Sequence, residues 1–154
     1  MKNSGKFLGV DYGTKRIGFA VSDANGILAF PKEVVKNNGE LFRKIGEIIS
    51  EEKIVEIVVG ESLDFAGLPN ILQKEIEFFI SHLERRFKIR VHKEKEFLTS
   101  VEARRYTNLG GQARRYGNPE NSNQADAEAA ALILQRYLDK KNIQRNSEND
   151  PGII

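Results

Sequence analysis

Apolar and polar positions alternate at short range over the first third of the chain. Residues 6–11, 16–22 and 27–35 each read as a strand of a meander. They are joined by a turn at Gly13 and a second turn at Asp23-Ala24-Asn25-Gly26. From Asn38 the period lengthens. Leu41, Phe42, Ile45, Ile48 and Ile49 share one helical face, which predicts a helix ending near Lys53. Ile54–Gly60 is a β-branched run suited to a strand buried on both faces. After a loop with Gly67 and Pro69, apolar positions from Leu68 to Phe87 trace a second amphipathic helix. Ile89–His92 reads as a short strand, and Thr99-Ser100-Val101-Glu102 is a capping box that should start a third helix at Thr99. Gly110–Asn121 is rich in Gly, Asn and Arg and should be a mobile loop. Ser122 or Asn123 then caps a last helix through about Lys140. The polar residues 142–154 are expected to form a disordered tail, leaving one domain over residues 1–141. By pattern alone this is an α/β domain, a meander feeding two right-handed crossovers.

Composition narrows the possibilities. At 154 residues the chain is long enough for one sizeable core. It contains no cysteine, which removes disulfides, thiol catalysis and thiolate metal sites. No run of 18 apolar residues is present, and Met1–Lys6 is polar, so neither a membrane span nor a signal peptide is expected and a cytoplasmic location fits. The net charge of +2 does not by itself demand a nucleic-acid partner. The basic doublets Lys15-Arg16, Arg104-Arg105 and Arg114-Arg115 are candidate phosphate contacts or ordinary solvated surface.

The candidate chemistry is carried by acids. Asp11 ends the first strand, where a carboxylate is costly unless hydrated, paired or bound to a cation. It is a metal ligand or an organiser of its own turn. Asp126 opens an alanine-rich helix, where the helix dipole favours an anion. Neither a phosphate-binding P-loop nor a G-x-G-x-x-G run is present, and His82 and His92 lie far apart in sequence as ordinary structural histidines.

The run G9-V-D-Y-G-T-K-R-I-G-F-A-V-S-D23 closely resembles the opening motif of the YqgF/RuvX family, RNase H-like proteins described as pre-16S rRNA nucleases or as Holliday-junction-resolvase-like. D126-A-E-A-A-A-L-I-L-Q-R-Y-L138 resembles the family's closing motif. K95-E-F-L-T-S100 resembles a third motif, an Asp-Glu-Arg-Leu-Thr-Thr-like run, but Lys95 stands where Asp is expected and Phe97 where Arg is expected. The family's Gly-Leu-Pro after the central crossover strand is replaced by G60-E-S, which places a new acid, Glu61, where it could compensate for Lys95.

The resemblance implies an RNase H-like fold, a five-stranded mixed sheet in which an antiparallel meander is joined by two parallel strands and flanked by helices. It implies a nuclease in which Asp11, Glu96 and Asp126 hold Mg²⁺ or Mn²⁺, and Glu61, a departure from the family pattern, is a further candidate metal ligand. Lys15, Arg16, Arg104, Arg105, Arg114 and Arg115 would contact the nucleic acid. The implied substrate is pre-16S rRNA, in contact with ribosomal particles, or branched DNA, handled by a monomer or weak homodimer. The different-class alternative is a non-catalytic nucleic-acid-binding module with a degraded metal site.

Overall fold

The computed structural model describes residues 5–62, 71–96 and 119–148. Five strands form one sheet: β1 (Lys6–Asp11), β2 (Arg16–Ser22), β3 (Ala29–Lys36), β4 (Ile54–Ser62) and β5 (Arg90–Glu96), with helices α1 (Leu41–Glu52), α2 (Ile71–Phe87) and α3 (Pro119–Glu148). The strand order is β3-β2-β1-β4-β5. The meander pairs antiparallel, whereas β4 joins β1 and β5 joins β4 in parallel, so β1 lies at the centre of a mixed sheet. The predicted helix at Thr99, most of the loop at 110–121 and the arginines 104, 105, 114 and 115 lie outside the described residues.

Strand alternation divides the sheet into two faces. On one, Leu8, Val10, Ile17, Phe19, Ile57 and Val59 pack under α1 and α2, meeting Ile45, Ile48, Ile76 and Leu83. On the other, Phe7, Ala20 and Val58 pack under α3 against Ala130, Ile133, Leu134 and Leu138. This second layer is thin. A Cβ on Gly9 would lie 2.7 Å from Cβ of Leu134 and 2.8 Å from the carbonyl oxygen of Ala130, so the absent side chain lets the helix backbone rest on the strand. α3 runs back along β1, with Asp126 toward the Asp11 end and Leu138 toward the Phe7 end.

Several boundaries differ from those expected, each for a visible reason. β3 starts at Ala29 rather than 27, because the Asp23 carboxylate accepts the backbone N–H groups of Ile27 (2.7 Å) and Leu28 (3.0 Å) and holds them in the turn. β4 and β5 run on to Ser62 and Glu96 because they pair with each other there, Glu61 against Lys95 and Ser62 against Glu96. The helix expected from Ser122 or Asn123 to Lys140 instead spans Pro119–Glu148, so most of the predicted disordered tail is helical. The C-terminal part of this helix is tied down: Lys141 Nζ sits 4.5 Å from the centre of the Phe7 ring, and Asn142 donates to the Gly26 carbonyl at 3.0 Å. The start of β3 is also closed by α3. Gln135 accepts the Ala29 N–H at 2.9 Å and donates to the Ile27 carbonyl at 2.8 Å.

Candidate nuclease site

Asp11 ends β1 directly opposite Gly18 of β2. Opposed residues of an antiparallel pair point to the same face. That face is the one covered by α3, because a Cβ on Gly18 would lie 2.1 Å from the Asp126 carbonyl oxygen. Gly18 thus brings the backbone of Asp126 against the strand pair that carries Asp11, across 115 residues of sequence. The carboxyl ends of β1, β4 and β5 lie along this same edge, where open α/β sheets bind their ligands.

The turn beyond Asp11 is held by Asn37. Its side-chain amide donates to the Tyr12 hydroxyl at 3.1 Å and to the Gly13 carbonyl at 3.0 Å, and its backbone N–H donates to the Lys15 carbonyl at 2.9 Å. Tyr12 turns to the opposite face, with its ring centre 4.9 Å from that of Phe79. Lys15 and Arg16 stand exposed at the end of this fixed turn. Arg16 Nε lies 3.4 Å from Asp126 Oδ2. Burial pushes the Asp126 carboxyl above the ordinary carboxylate range, and the Arg16 guanidinium opposes that rise. The anion therefore sits where added positive charge is favourable.

Of Glu96 the backbone position is described: it ends β5, paired with Ser62. Glu61 and Lys95 do not join the site. Val59 packs under α1 and α2, so Glu61, two residues on, shares that face, where Gln73 of α2 donates to its carboxylate at 2.7 Å. Lys95 is its register partner on the same side. The expected compensation of Lys95 by Glu61 beside Asp11 is corrected accordingly. A strand's period of two turns Glu61 away from the face that carries Asp11 and Asp126.

Sequence reasoning missed Glu94. It is buried on the α3 face, paired with Lys140, and its neighbour two residues back, His92, stacks on Tyr137 at 4.9 Å. The signal was present in the alternation of Arg90, His92 and Glu94 on one side of β5, but without apolar residues it did not read as a buried face.

Among the described residues no group of three or more metal-ligating side chains is present. The two acids on this face, Asp11 and Asp126, offer carboxylate oxygens, which suit hard divalent cations such as Mg²⁺ or Mn²⁺, and Asp126 already attracts a cation. The residues fit such an ion.

Comparison with known proteins gives a consistent picture. The RuvX family model, described as Holliday junction resolvase, matches residues 5–140. A protein of Lawsonia intracellularis named "Putative pre-16S rRNA nuclease" is 34% identical over 142 residues, covering 91% of this chain and 97% of that protein. A protein of the same name from Pseudomonas savastanoi pv. phaseolicola is 38% identical over 138 residues, covering 86% and 90%. In fold, the chain resembles RuvC of T. thermophilus, solved in complex with a Holliday junction substrate, at a TM-score of 0.54 and 14% identity, covering 88% of this chain and 95% of that one.

Proposed function

Because the chain belongs to the RuvX family, we propose that it is a metal-dependent nuclease that hydrolyses phosphodiester bonds in structured RNA and matures pre-16S rRNA. The observation that carries the reading is that β1 and α3 bring Asp11 and the backbone of Asp126 to one face of the sheet, beside a turn that presents Lys15 and Arg16. The relatives' shared name supports the RNA substrate. Among the described residues no helix is long and apolar enough to cross a membrane, which is compatible with work on ribosomal precursors in the cytoplasm.

Asp11 and Asp126, with Glu96 as the third acid, would hold Mg²⁺ or Mn²⁺. When bound, such ions lower the pKa of a water and neutralise charge on the attacked phosphate. The chain's own residues supply placement. Asp11 is fixed by four ladder pairs between β1 and β2 and by the Asn37 clamp on the turn that follows. Asp126 is fixed by the contact of its backbone with Gly18. Lys15 and Arg16 neutralise phosphates flanking the scissile bond and set the strand's register on the sheet edge.

The test is cleavage of a labelled 16S rRNA precursor and of a four-way DNA junction, each with Mg²⁺, Mn²⁺ or EDTA. The precursor should be cut and the junction spared, with activity lost in EDTA and reduced at least about a hundredfold in Asp11→Asn. Cutting of the junction alone would transfer the reading to a resolvase. Cleavage that survives both EDTA and Asp11→Asn would end it. Tight binding without cleavage of either substrate would make the chain a binding module.

A further inference from the structure

We infer that the Arg16–Asp126 ion pair is an exchange contact: Arg16 occupies the Asp126 carboxylate until a divalent cation takes it, and the released guanidinium then binds a phosphate of the nucleic acid. The inference rests on the reading of Asp126 as a cation ligand. Its consequence is that cation loading and nucleic-acid binding favour each other. Such coupling is reciprocal by thermodynamic necessity.

The geometry supports replacement rather than permanent pairing. The contact runs through Nε at 3.4 Å, well beyond the ~2.7–2.9 Å of a strong charge-assisted hydrogen bond. Both side chains keep substantial contact with solvent, 43% for Arg16 and 33% for Asp126. Partly exposed pairs of this kind hold weakly. The backbones on either side are firmly set, Asp126 by its seat on Gly18 and the turn before Arg16 by Asn37. Exchange therefore needs only a side-chain movement. A doubly charged ion attracts the carboxylate more strongly than the single charge of Arg16, so it is the stronger competitor.

While Arg16 is held, its charge is cancelled locally and adds little to phosphate affinity. Asp126→Asn should remove this ion pair without any metal. In EDTA, anisotropy with a labelled RNA stem-loop should show Asp126→Asn binding about two- to fivefold tighter than wild type. Removing an acid near phosphates could tighten binding by lessened repulsion alone, so the decisive arm is the double-mutant cycle. In the Arg16→Gln background the gain from Asp126→Asn should disappear, because the released group is gone. An equal gain in both backgrounds would overturn the exchange.

The second readout uses Mn²⁺ alone. Calorimetry without RNA should show Arg16→Gln binding Mn²⁺ about two- to fivefold tighter than wild type, and tighter than Lys15→Gln, which removes the same charge one residue away. Equal affinities in the two variants would overturn the exchange. A thermal melt of each variant confirms that the fold is intact. If wild type binds no Mn²⁺, the nuclease reading falls and the exchange with it. If Mn²⁺ binds but the cycle shows no coupling, the exchange falls alone.

Discussion

Beneath α1 and α2 the central strands present Leu8, Val10, Ile17, Phe19, Ile57 and Val59, while beneath α3 neighbouring positions on the same strands present Gly9, Asp11, Gly18 and Gly60. One β-strand, β1, serves both purposes in alternate residues. Large branched side chains bury apolar area at roughly 25 cal/mol per Å², so the first face supplies the greater share of cohesion. The glycine-bearing face gives up that burial for proximity: it brings a helix backbone close enough that Asp126 meets the strand pair of Asp11. Stability and site are thus separated by a sheet one residue thick.

The comparison can be broken most directly at Ile57, fully buried on the α1 and α2 side of β4. Ile57→Ala should cost about 2–5 kcal/mol in denaturant unfolding, while activity per folded molecule stays near wild type. A loss of catalysis larger than the loss of folded protein would show that the two faces are not separate.

Gly18→Ala probes the other side. Its new methyl group would meet the Asp126 carbonyl at 2.1 Å, and backbone cannot step aside as a flexible side chain can. We expect about 1–3 kcal/mol of destabilisation together with weakened Mn²⁺ binding, because Asp126 must shift. The reference is Gly46→Ala in α1, where the new Cβ would meet only the Phe87 ring edge, at 3.3 Å. Helix propensity there gains up to about 1 kcal/mol, so the net change should lie near zero or slightly stabilise, with Mn²⁺ binding unaltered. Equal damage at both glycines would remove the special status of the α3 face.

The smallest effect belongs to Glu52 at the end of α1, which accepts hydrogen bonds from Lys6 and Lys32, both at 2.9 Å. These bonds hold its carboxyl below the ordinary Glu value of 4.5. A depressed carboxylate stabilises the fold above its unfolded pKa and loses that contribution as pH falls through the folded one. Glu52→Gln should therefore be less stable than wild type at pH 7, by no more than about 1 kcal/mol, and the two should converge in acid. A gap that persists below pH 3 would assign the difference to packing.

Much of the architecture was legible because it is written in periods. β1 and β2 have the bounds that alternation predicts, and α1 and α2 follow their apolar stripes. Of the candidate site, Asp11 and Asp126 were legible because their motifs are local, and the fold brings them to one face of the sheet. What escaped was relational. That Glu61 faces α2 follows only when the alternation of β4 is fixed by Val59 packing under that helix. The length of β5 was hidden because its residues are charged, and its strand character comes from pairing with β4. The length of α3 was hidden because polar residues can extend a helix once Lys141 and Asn142 are anchored to the sheet.

The Gln135 clamp at the start of β3 bears on behaviour at high concentration. Ile27 and Leu28 just before the outer strand β3, and Phe30 within it, are each about half exposed and would invite another chain to dock there. Gln135 already fills the donor at Ala29 and the acceptor at Ile27, and Pro31 offers no N–H two residues further on. The opposite margin, β5, carries an alternating run of charges instead. Among the described residues each border of the sheet thus resists fibril growth by a different device, one by an amide that imitates a peptide group and the other by the cost of stripping water from ions. Gln135→Leu should accordingly leave the site untouched while lowering the concentration at which the protein begins to self-associate.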